Sequence, residues 1–466
     1  MAWHEDLAEA KDRHEAAIIV NAFAGRDIDV GGVAAEHGGI AFMYARDRIL
    51  ARREHLGGPD GVRGFRPVED AHRQRGVLDL LREHEVGDVD ARHVARGVVA
   101  VDLSRDRSQR DERDALFLLE RVEEEFGPGI ATLDHVVTTA QGHPSGCPAT
   151  EPQEVYNPEP YPSLCPGDAG RGVRIYVADT GIVPETVANC AWLEKVEGDE
   201  DPSVAADGTI LPYGGHGTFV AGVIRSMAPG ADLVVRNVFD TAGSALESDF
   251  VPKLYEGFRY GAEIFHVTVS SPTRHNVPLL AFETWLDDLR RYKGVVCVVP
   301  AGNSASPLPH WPAASPGVVS VGALGPDWRS RAYFSDYGGW VDVYAPGQNL
   351  VNAFATGTFT CQVAPFEGET RTFAGMAQWS GTSFSTPIVT GLIAARMTRR
   401  GENAADAAAA LLAQARAEAI PGVGPVLLPG CGDDEPRGCC GGEHRHHGCA
   451  GDEHRHHAGK HGPWPR

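Results

Sequence analysis

The distribution of apolar residues predicts two kinds of folded structure along this chain. Over residues 172–430, almost continuously apolar segments alternate with amphipathic stretches, and the apolar ones include "VRIYVAD", "ADLVVRNVF", "AEIFHVTVS", "GVVCVVPAG" and "GVVSVGA". Continuous apolar runs are typical of strands buried on both faces, whereas stretches between them, such as "ESDFVPKLYEGFRYG", have helical periodicity. The pattern predicts an α/β domain with a parallel sheet flanked by helices, which closes with the Ala-rich helix "NAADAAAALLAQARAEA".

Residues 1–140 have shorter apolar runs between charged stretches, and they predict a smaller N-terminal α+β domain. "RGVVAVDL" and "ATLDHVVTTA" predict two strands, and "RDERDALFLLERVEEEFG" between them predicts a helix with one apolar face. A further helix is predicted at "RQRGVLDLLREHEV". Residues 141–171 are rich in proline, glycine and acidic residues, which is typical of a linker or a surface loop.

The last segment, residues 431–466, has few apolar residues and repeats one decamer as "GGEHRHHGCA" and "GDEHRHHAGK". This composition predicts a disordered tail unless a ligand orders it. Imidazole and thiolate groups bind zinc, nickel or copper, so the repeats are a candidate metal site. A polar tail with incidental metal affinity is the alternative interpretation. The candidate ligands are His444, His446, His447, His454, His456 and His457.

Charge and composition argue against several classes of protein. The 466 residues carry a formal net charge of -21, which disfavours binding to nucleic acid or to anionic membranes. No apolar run approaches the roughly 18–20 residues needed to span a bilayer. The start, "MAWHEDLAEAKDRHEAA", lacks the apolar region of a secretory signal, so the sequence as written predicts a cytoplasmic protein. An export signal hidden by a misplaced start codon stays open as an alternative.

The chain contains nine cysteines, an odd number in a protein too large to need disulfide staples. Without an export signal, most of them are expected to be buried or reduced thiols. Cys147, Cys165 and Cys190 lie close enough in sequence for one disulfide among them.

Four polar residues lie where predicted strands end or predicted helices begin. Asp179 and Asn303 directly follow apolar strands, and His216 and Ser383 open helices, with Pro387 expected in the first turn of the second helix. Sites in parallel sheets form beyond the carboxyl ends of the strands, so these residues are expected to meet there. Each alone has a structural explanation as a turn, a cap or a buried imidazole. Together they match an assembly in which an acid orients a histidine and the histidine takes a proton from a nucleophilic serine.

The segments around these residues resemble the signature blocks of the subtilisin-like serine proteases. The blocks "VADTGI", "GHGTFVAG", "AGN" and "GTSFSTP" occur in that order, and the resemblance extends over about residues 172–430. It implies a serine endopeptidase that acts on peptides or proteins and needs no cofactor for its chemistry. By this resemblance Asp179 orients His216, His216 is the general base and then acid, Ser383 is the nucleophile and Asn303 is an oxyanion donor. Calcium often stabilises this family, but the sequence assigns no ligand set.

The resemblance also implies where substrate binds, and there the chain departs from the family pattern. A strand that usually ends in Ser-x-Gly reads "HVTVSSP", Pro300 replaces a small residue before "AGN", and Phe219, outside the triad, replaces a second histidine. Loss of a glycine narrows access to the backbone, so the first pocket is expected to differ from the usual broad apolar one. "TAGSA" resembles an edge that pairs with substrate, and a flexible loop is the alternative. The candidate substrate-binding residues are Gly243, Ser244, Ala245, Thr268, Val269, Ser270, Pro300, Ala301 and Gly302.

Two questions stay open at the level of sequence. Residues 1–140 stand where subtilisin-like enzymes carry a propeptide, so they are either an intramolecular inhibitor or a permanent domain. The same triad could serve a peptide ligase or macrocyclase, or it could be silent in a peptide- or metal-binding protein. The sequence contains no P-loop, no HExxH and no G-x-S-x-G motif, which argues against phosphate binding, zinc proteolysis and the α/β-hydrolase fold.

Overall fold

The structure is a computed structural model of the chain. It describes residues 16–35, 40–57, 76–84, 90–103, 114–139, 149–156, 158–239, 242–363 and 365–430. The His/Cys-rich tail and much of the predicted linker lie outside these described residues, so the predictions made for the tail are not addressed by the structure.

The N-terminal part forms an antiparallel sheet that packs against helices. Its elements are α1 (residues 16–24), β1 (Val30–Ala34), β2 (Ile40–Arg52), α2 (Val77–Glu83), β3 (Asp90–Ala95), β4 (Val98–Asp102), α3 (Ala115–Phe126) and β5 (Ala131–Thr138). The strands pair in the order β5–β2–β4–β3, and β1 pairs with β2. Apolar residues of β2, β4 and β5 share one core with α2 and α3. The predicted strand–helix–strand unit corresponds to β4, α3 and β5.

Local interactions explain where α3 begins and ends. Asp114 precedes the helix, and its side chain accepts the N–H groups of Leu116 and Phe117 at 3.1 and 3.2 Å, which satisfies donors at the helix start. The helix ends at Gly127, which has a φ of 88°. Leu118 and Val122 are fully buried on the apolar face that the sequence predicts. The helix therefore covers the sheet that leads into β5.

A seven-stranded parallel sheet forms the centre of the remaining chain. Its strands are β6 (Arg174–Asp179), β7 (Glu197–Gly198), β9 (Asp232–Asn237), β11 (Ile264–Val267), β12 (Val296–Pro300), β13 (Val319–Leu324) and β14 (Val343–Pro346). They lie in the order β14–β13–β12–β11–β6–β9–β7, and every neighbouring pair is parallel. The five apolar segments singled out from the sequence are β6, β9, β11, β12 and β13, so the predicted subtilisin-like α/β fold is confirmed.

Helices cover both faces of this sheet because its strands are apolar on both sides. The helices are α4 (Pro184–Asn189), α5 (His216–Met227), α6 (Glu247–Tyr260), α7 (Leu280–Leu289), α8 (Thr382–Arg400) and α9 (Ala404–Ala417). Ile175 and Val177 of β6 pack with α5, α8 and α9, whereas Tyr176 and Ala178 pack with α6 and α7. The second of these cores also contains Val137 of β5, so it joins the N-terminal sheet to the parallel-sheet part.

A small third sheet leads the chain into α8. It consists of β8 (Thr209–Ile210), β15 (Leu350–Thr360) and β16 (Thr370–Trp379), in the order β16–β15–β8. β16 ends at Trp379, and α8 starts three residues later at Thr382. This connection fixes the start of α8 beside the parallel sheet.

Two further features concern membranes and thiols. Among the described residues, no helix is both long and apolar enough to cross a bilayer. Cys165 is disulfide-bonded, and Cys190, Cys297 and Cys361 are free. Of the three cysteines considered for one disulfide, Cys165 is therefore bonded and Cys190 is not.

Candidate active site

Asp179 ends β6 and is completely buried. Its Oδ1 lies 2.8 Å from Nδ1 of His216 and accepts the Thr180 N–H at 2.7 Å, and its Oδ2 accepts the Thr268 hydroxyl at 2.7 Å. Burial alone raises the pKa of Asp179, but the adjacent His216 and these hydrogen bonds lower the pKa by more, so it lies below the ordinary value. The carboxylate is therefore charged at neutral pH and holds the imidazole in one orientation.

His216 is the first residue of α5, and a tight turn places it there. Gly215 before it has a φ of 80°, which favours glycine, and donates its N–H to Asp201 Oδ2 at 2.8 Å. The fully buried imidazole packs against Trp379 and Phe384, whose ring centroids lie 5.6 and 5.2 Å away. Because a carboxylate holds Nδ1, Nε2 is the nitrogen that can take up a proton, and it has no hydrogen-bond partner among the described residues.

Ser383 lies in the first turn of α8, and Asn303 anchors that turn. Asn303 Oδ1 accepts the N–H and the hydroxyl of Thr382 at 2.8 and 2.9 Å. The N–H of Ser383 belongs to the helix start, where no intrahelical acceptor exists. Ser383 Oγ is buried and, like His216 Nε2, has no hydrogen-bond partner within the described part of the chain.

Pro387 lies deeper in α8 than the sequence analysis expected. Because the helix begins at Thr382, Pro387 falls in the second turn and cannot donate an N–H to the Ser383 carbonyl. The hydroxyls of Ser385 and Thr386 donate to the Thr382 carbonyl at 3.0 and 2.7 Å. These two side-chain hydrogen bonds therefore stabilise the first turn of α8, next to the point where Pro387 removes one backbone hydrogen bond of the helix.

Contacts thus place the four predicted residues in one buried site. Asp179 contacts His216, and the residues on either side of Ser383 contact His216 and Asn303. The site lies at the carboxyl ends of β6 and β12, as the parallel sheet predicts. An acid, an imidazole, a hydroxyl and two potential oxyanion donors are the groups needed for attack on a carbonyl.

The candidate segment 243–245 contributes to an edge strand, β10 (Ser244–Leu246), and is not a flexible loop. β10 pairs antiparallel with β5, with Ser244 opposite Thr138 and Ala245 opposite Val137. The Gly243 carbonyl accepts the Thr139 N–H at 2.9 Å. The N-terminal sheet therefore extends across to the edge that the resemblance assigns to substrate.

A second segment of the parallel-sheet part binds the other edge of the same strand. The Ser270 N–H donates to the Thr138 carbonyl at 3.1 Å, and the Thr138 N–H donates to Ser271 Oγ at 3.1 Å. Thr138 and Thr139 are buried between the two segments, at 2% and 0% exposure. The described end of the N-terminal part therefore lies as an added strand between residues 243–246 and 270–271, along the groove that the family resemblance assigns to substrate.

The other candidate pocket residues have different surroundings. Thr268 directs its hydroxyl to Asp179, and Val269 is buried in the same apolar core as Val137. The Ala301 carbonyl accepts the Ser270 hydroxyl at 3.0 Å. Pro300 is buried at the end of β12, and Gly302, with a φ of 122°, donates its N–H to Thr382 Oγ1 at 3.2 Å. Ser270, Ala301 and Gly302 therefore lie together beside the start of α8.

Sequence reasoning did not identify Thr180 and Asp201, which hold the start of α5. Thr180 Oγ1 donates to Asp201 Oδ2 at 2.8 Å and accepts the Gly217 N–H at 3.1 Å. Burial raises the pKa of Asp201 to about 6, against the opposing effect of its hydrogen bonds. No local pattern marks Asp201, because its partners lie 14 and 21 residues away in the chain.

The described part of the chain contains no group of three or more His, Cys, Asp or Glu residues that could hold a metal ion. The candidate metal ligands of the tail lie outside the described residues, so the tail site stays a prediction.

Comparison with known proteins identifies the family. The Subtilase family model matches residues 170–424, more than half of the chain. An alkaline protease of Alkalihalobacillus alcalophilus is 28% identical over 342 residues, which cover 70% of this chain and 76% of that protein. Thermitase of Thermoactinomyces vulgaris is 27% identical over 275 residues, which cover 56% of this chain and 86% of that protein.

A solved structure has the same fold. The crystal structure of fervidolysin from Fervidobacterium pennivorans is 18% identical and has a TM-score of 0.52, covering 83% of this chain and 60% of that one. The fold, the match to the family model and the curated relatives agree with one another. The chain therefore belongs to the Subtilase family and is a subtilisin-like serine endopeptidase.

Proposed function

We propose that the chain hydrolyses peptide bonds through an acyl-enzyme formed on Ser383. His216 Nε2 takes the proton of Ser383 Oγ as that oxygen bonds to the substrate carbonyl carbon, and it then gives the proton to the departing amine. Water releases the acyl group by the reverse proton transfers. The observation that carries this proposal is the buried contact of 2.8 Å between His216 and Asp179, beside the start of α8.

The developing negative charge on the carbonyl oxygen requires hydrogen-bond donors in the same place. The N–H of Ser383 and the Nδ2 amide of Asn303 are the donors in this proposal. Thr382 fixes the Asn303 side chain through two bonds to its Oδ1, which supports this orientation of the amide. A donor that is already fixed stabilises the transition state without a cost of reorganisation.

The proposal extends to the N-terminal part as an intramolecular inhibitor. Strand β5 lies in the groove with hydrogen bonds to Gly243 on one edge and Ser270 on the other. A substrate strand would need the same backbone groups, so strand β5 and substrate compete. This arrangement supports the inhibitor interpretation over a permanent domain with no influence on the site.

Labelling with a fluorophosphonate tests the proposed chemistry. The wild-type full chain is expected to be modified at Ser383, and Ser383→Ala is expected to abolish modification. Ser385→Ala, two residues away, is the matched control and is expected to stay reactive because Ser385 Oγ bonds only within the helix start. A folded wild-type chain that stays unlabelled while Thr138→Pro reacts would favour inhibition by β5, whereas failure of both folded chains to react would favour a silent binding protein.

Product analysis distinguishes hydrolysis from ligation. Peptides incubated with the labelling-competent chain are expected to give fragments with new amino and carboxyl termini, as read by mass spectrometry. Joined or cyclised peptides would instead favour a ligase that uses the same acyl-enzyme.

A further inference from the structure

A second buried His–Asp pair lies close to the active site, and the proposed chemistry uses neither of its members. Nδ1 of His310 lies 2.7 Å from Asp336 Oδ2, with side-chain exposures of 6% and 0%. Asp336 Oδ1 accepts the N–H groups of Ser304 and Ser306, each at 2.9 Å. Asp336 Oδ1 therefore anchors the loop after Asn303, whereas Oδ2 is in close contact with the His310 ring and forms no aligned hydrogen bond among the described residues.

The pair packs directly against Gly302, the residue before Asn303. A Cβ atom on Gly302 would collide with Asp336 Oδ2 and come within 2.6 Å of His310 Nδ1. It would also come within 2.8 Å of Ser270 Oγ, which itself lies 3.4 Å from His310 Nδ1. The imidazole therefore fills the space between Ser270 and Gly302.

That space lies beside the path of a peptide in the groove. Thr138 is bonded to both Ser270 and Ser271, and Ser271 exchanges two backbone hydrogen bonds of 2.9 Å with Trp311, next to His310. The segment that carries His310 is therefore held along the same wall that binds the peptide backbone.

The direction of the bound strand identifies which substrate side chain meets His310. Thr138 and Thr139 are the last described residues that occupy the groove. In the proposed mechanism, a peptide that continues in this direction brings its scissile carbonyl between Ser383 and Asn303. By the family resemblance, the side chain that precedes this bond would enter between Ser270 and Gly302, the expected walls of the first specificity pocket.

We propose that His310, in contact with Asp336, closes this first pocket to all but small side chains, so that the enzyme cleaves after glycine, alanine or serine. This inference rests on the proposed function and names its substrate class. A large apolar side chain would have to displace the ring and would itself pack against the fully buried Asp336 Oδ2, which forms no other hydrogen bond among the described residues, and burial of this oxygen against apolar atoms is unfavourable.

A peptide series tests the size limit in the full chain. The peptides Val-Val-Thr-Thr-X-p-nitroanilide use the sequence of residues 136–139 and differ only at X, which is Ala, Ser, Leu or Phe. The wild-type chain is expected to have a kcat/KM for Ala about 100-fold above that for Phe. Each preparation is first titrated with a fluorophosphonate, so that rates refer to reactive Ser383.

Two substitutions at the same position separate the size of the side chain from its chemistry. His310→Gly is expected to raise the Phe-to-Ala ratio of kcat/KM by about tenfold or more, because it empties the pocket. His310→Gln retains a side chain of comparable length and is expected to keep the preference for Ala. If His310→Gly does not fold, the wild-type series and His310→Gln still test the size limit.

The outcomes distinguish failure of the specificity from failure of the function. Reactive Ser383 with equal or better cleavage after Leu or Phe in the wild-type chain overturns the specificity and leaves the proposed function intact. An unchanged ratio in folded His310→Gly also overturns it. Absence of fluorophosphonate labelling in both the wild-type chain and folded Thr138→Pro, whose strand β5 is loosened, overturns the proposed function and this inference with it.

Discussion

At the scale of single residues, the charge on Asp179 is controlled by its neighbours. The carboxylate is fully buried, and its bonds to His216, Thr268 and the Thr180 N–H outweigh the effect of burial on its pKa. Thr268 had been assigned from the sequence to the first pocket, whereas its hydroxyl contacts Asp179 in the structure. A residue next to the pocket therefore supports the acid of the triad.

Thr268→Val removes this hydroxyl with almost no change in volume. The loss of one hydrogen bond to a charged group is worth about 1.5 kcal/mol, so kcat/KM is expected to fall about tenfold. Steady-state kinetics with a peptide substrate measure the change. Thr398→Val, an equivalent substitution far along α8, is the control and is expected to leave kcat/KM unchanged. Wild-type kinetics in Thr268→Val would show that the bond does not support catalysis.

Asn303 holds Thr382 through its Oδ1 and, in the proposed mechanism, donates its amide N–H to the oxyanion. Different substitutions can separate these two roles. Asn303→Ala is expected to lower kcat about 100- to 1000-fold with little change in KM, a magnitude taken from the equivalent donor in subtilisin itself. Asn303→Asp keeps acceptors for Thr382 but removes the amide donor, so it is expected to lose as much activity as Asn303→Ala. Asn189→Ala at the exposed end of α4 is the control. A fully active Asn303→Asp would exclude the amide as an oxyanion donor.

At the scale of elements, the proposed inhibition depends on the pairing of β5 with β10. β5 is a buried strand of the N-terminal sheet along its whole length, and its last residues reach the parallel-sheet part. The Thr138 N–H is bonded to Ser271, whereas the Thr138 hydroxyl is buried with no partner among the described residues. The backbone of Thr138, and not its hydroxyl, therefore holds the strand in place.

This difference predicts opposite results for two substitutions at one position. Thr138→Pro removes the donor to Ser271 and is expected to speed fluorophosphonate labelling of the full chain, because the strand leaves the groove more readily. Thr138→Val keeps the N–H and removes an unpaired buried hydroxyl, so labelling is expected to be as slow as in wild type or slower. Labelling rates measured by intact-protein mass spectrometry give the comparison. Equal rates in wild type and folded Thr138→Pro would contradict inhibition by β5.

At the scale of the whole molecule, buried and partly buried charges lie where the N-terminal and parallel-sheet parts meet. Arg48 donates to Asp134 and to Ser248 at 3.5 and 3.3 Å, and Arg92 forms an ion pair with Asp249. Burial raises the pKa of Asp134 to about 6 despite the opposing charge of Arg48. The two parts are therefore joined by groups whose protonation is linked to folding.

Glu247, at the start of α6, makes this linkage measurable. Burial, with the nearby charge of Asp134, raises its pKa from 4.5 to about 8. A carboxyl group with a raised pKa binds protons more readily in the folded protein, so its stabilising contribution is present at low pH. That contribution is lost as the pH rises from about 4.5 to about 8.

Glu247→Gln keeps an oxygen that can accept the N–H groups of Ala281 and Phe282, but it cannot ionise. The Tm of this variant is expected to match wild type near pH 5 and to exceed it increasingly up to pH 8. Calorimetry across this range measures the difference. Glu256→Gln, exposed on the same helix, is the control and is expected to follow the wild-type curve. Parallel curves for wild type and Glu247→Gln would contradict the linkage.

The sequence by itself determined the parallel-sheet fold and the places of Asp179, His216, Asn303 and Ser383. Continuous apolar runs require burial on both faces, and parallel strands bring their carboxyl ends to one edge of a sheet. Residues that directly follow β6 and β12 therefore had to lie near each other. Local rules also located the start of α8, although they placed Pro387 one turn too early.

Only the tertiary structure decided which residues from distant parts of the sequence meet around Asp179 and at the end of β5. Thr268 contacts Asp179 across 89 positions of sequence, and His310 approaches Ser270 across 40. Thr138 likewise joins segments that are distant in sequence, because it pairs with β10 and donates its N–H to Ser271 Oγ. Hydrophobic periodicity states which face of an element is buried, but it does not specify which polar group of another element lies opposite. Which polar group lies opposite depends on how the sheets and helices pack against one another. The proposed specificity of this enzyme depends on such contacts, which the family resemblance alone does not specify.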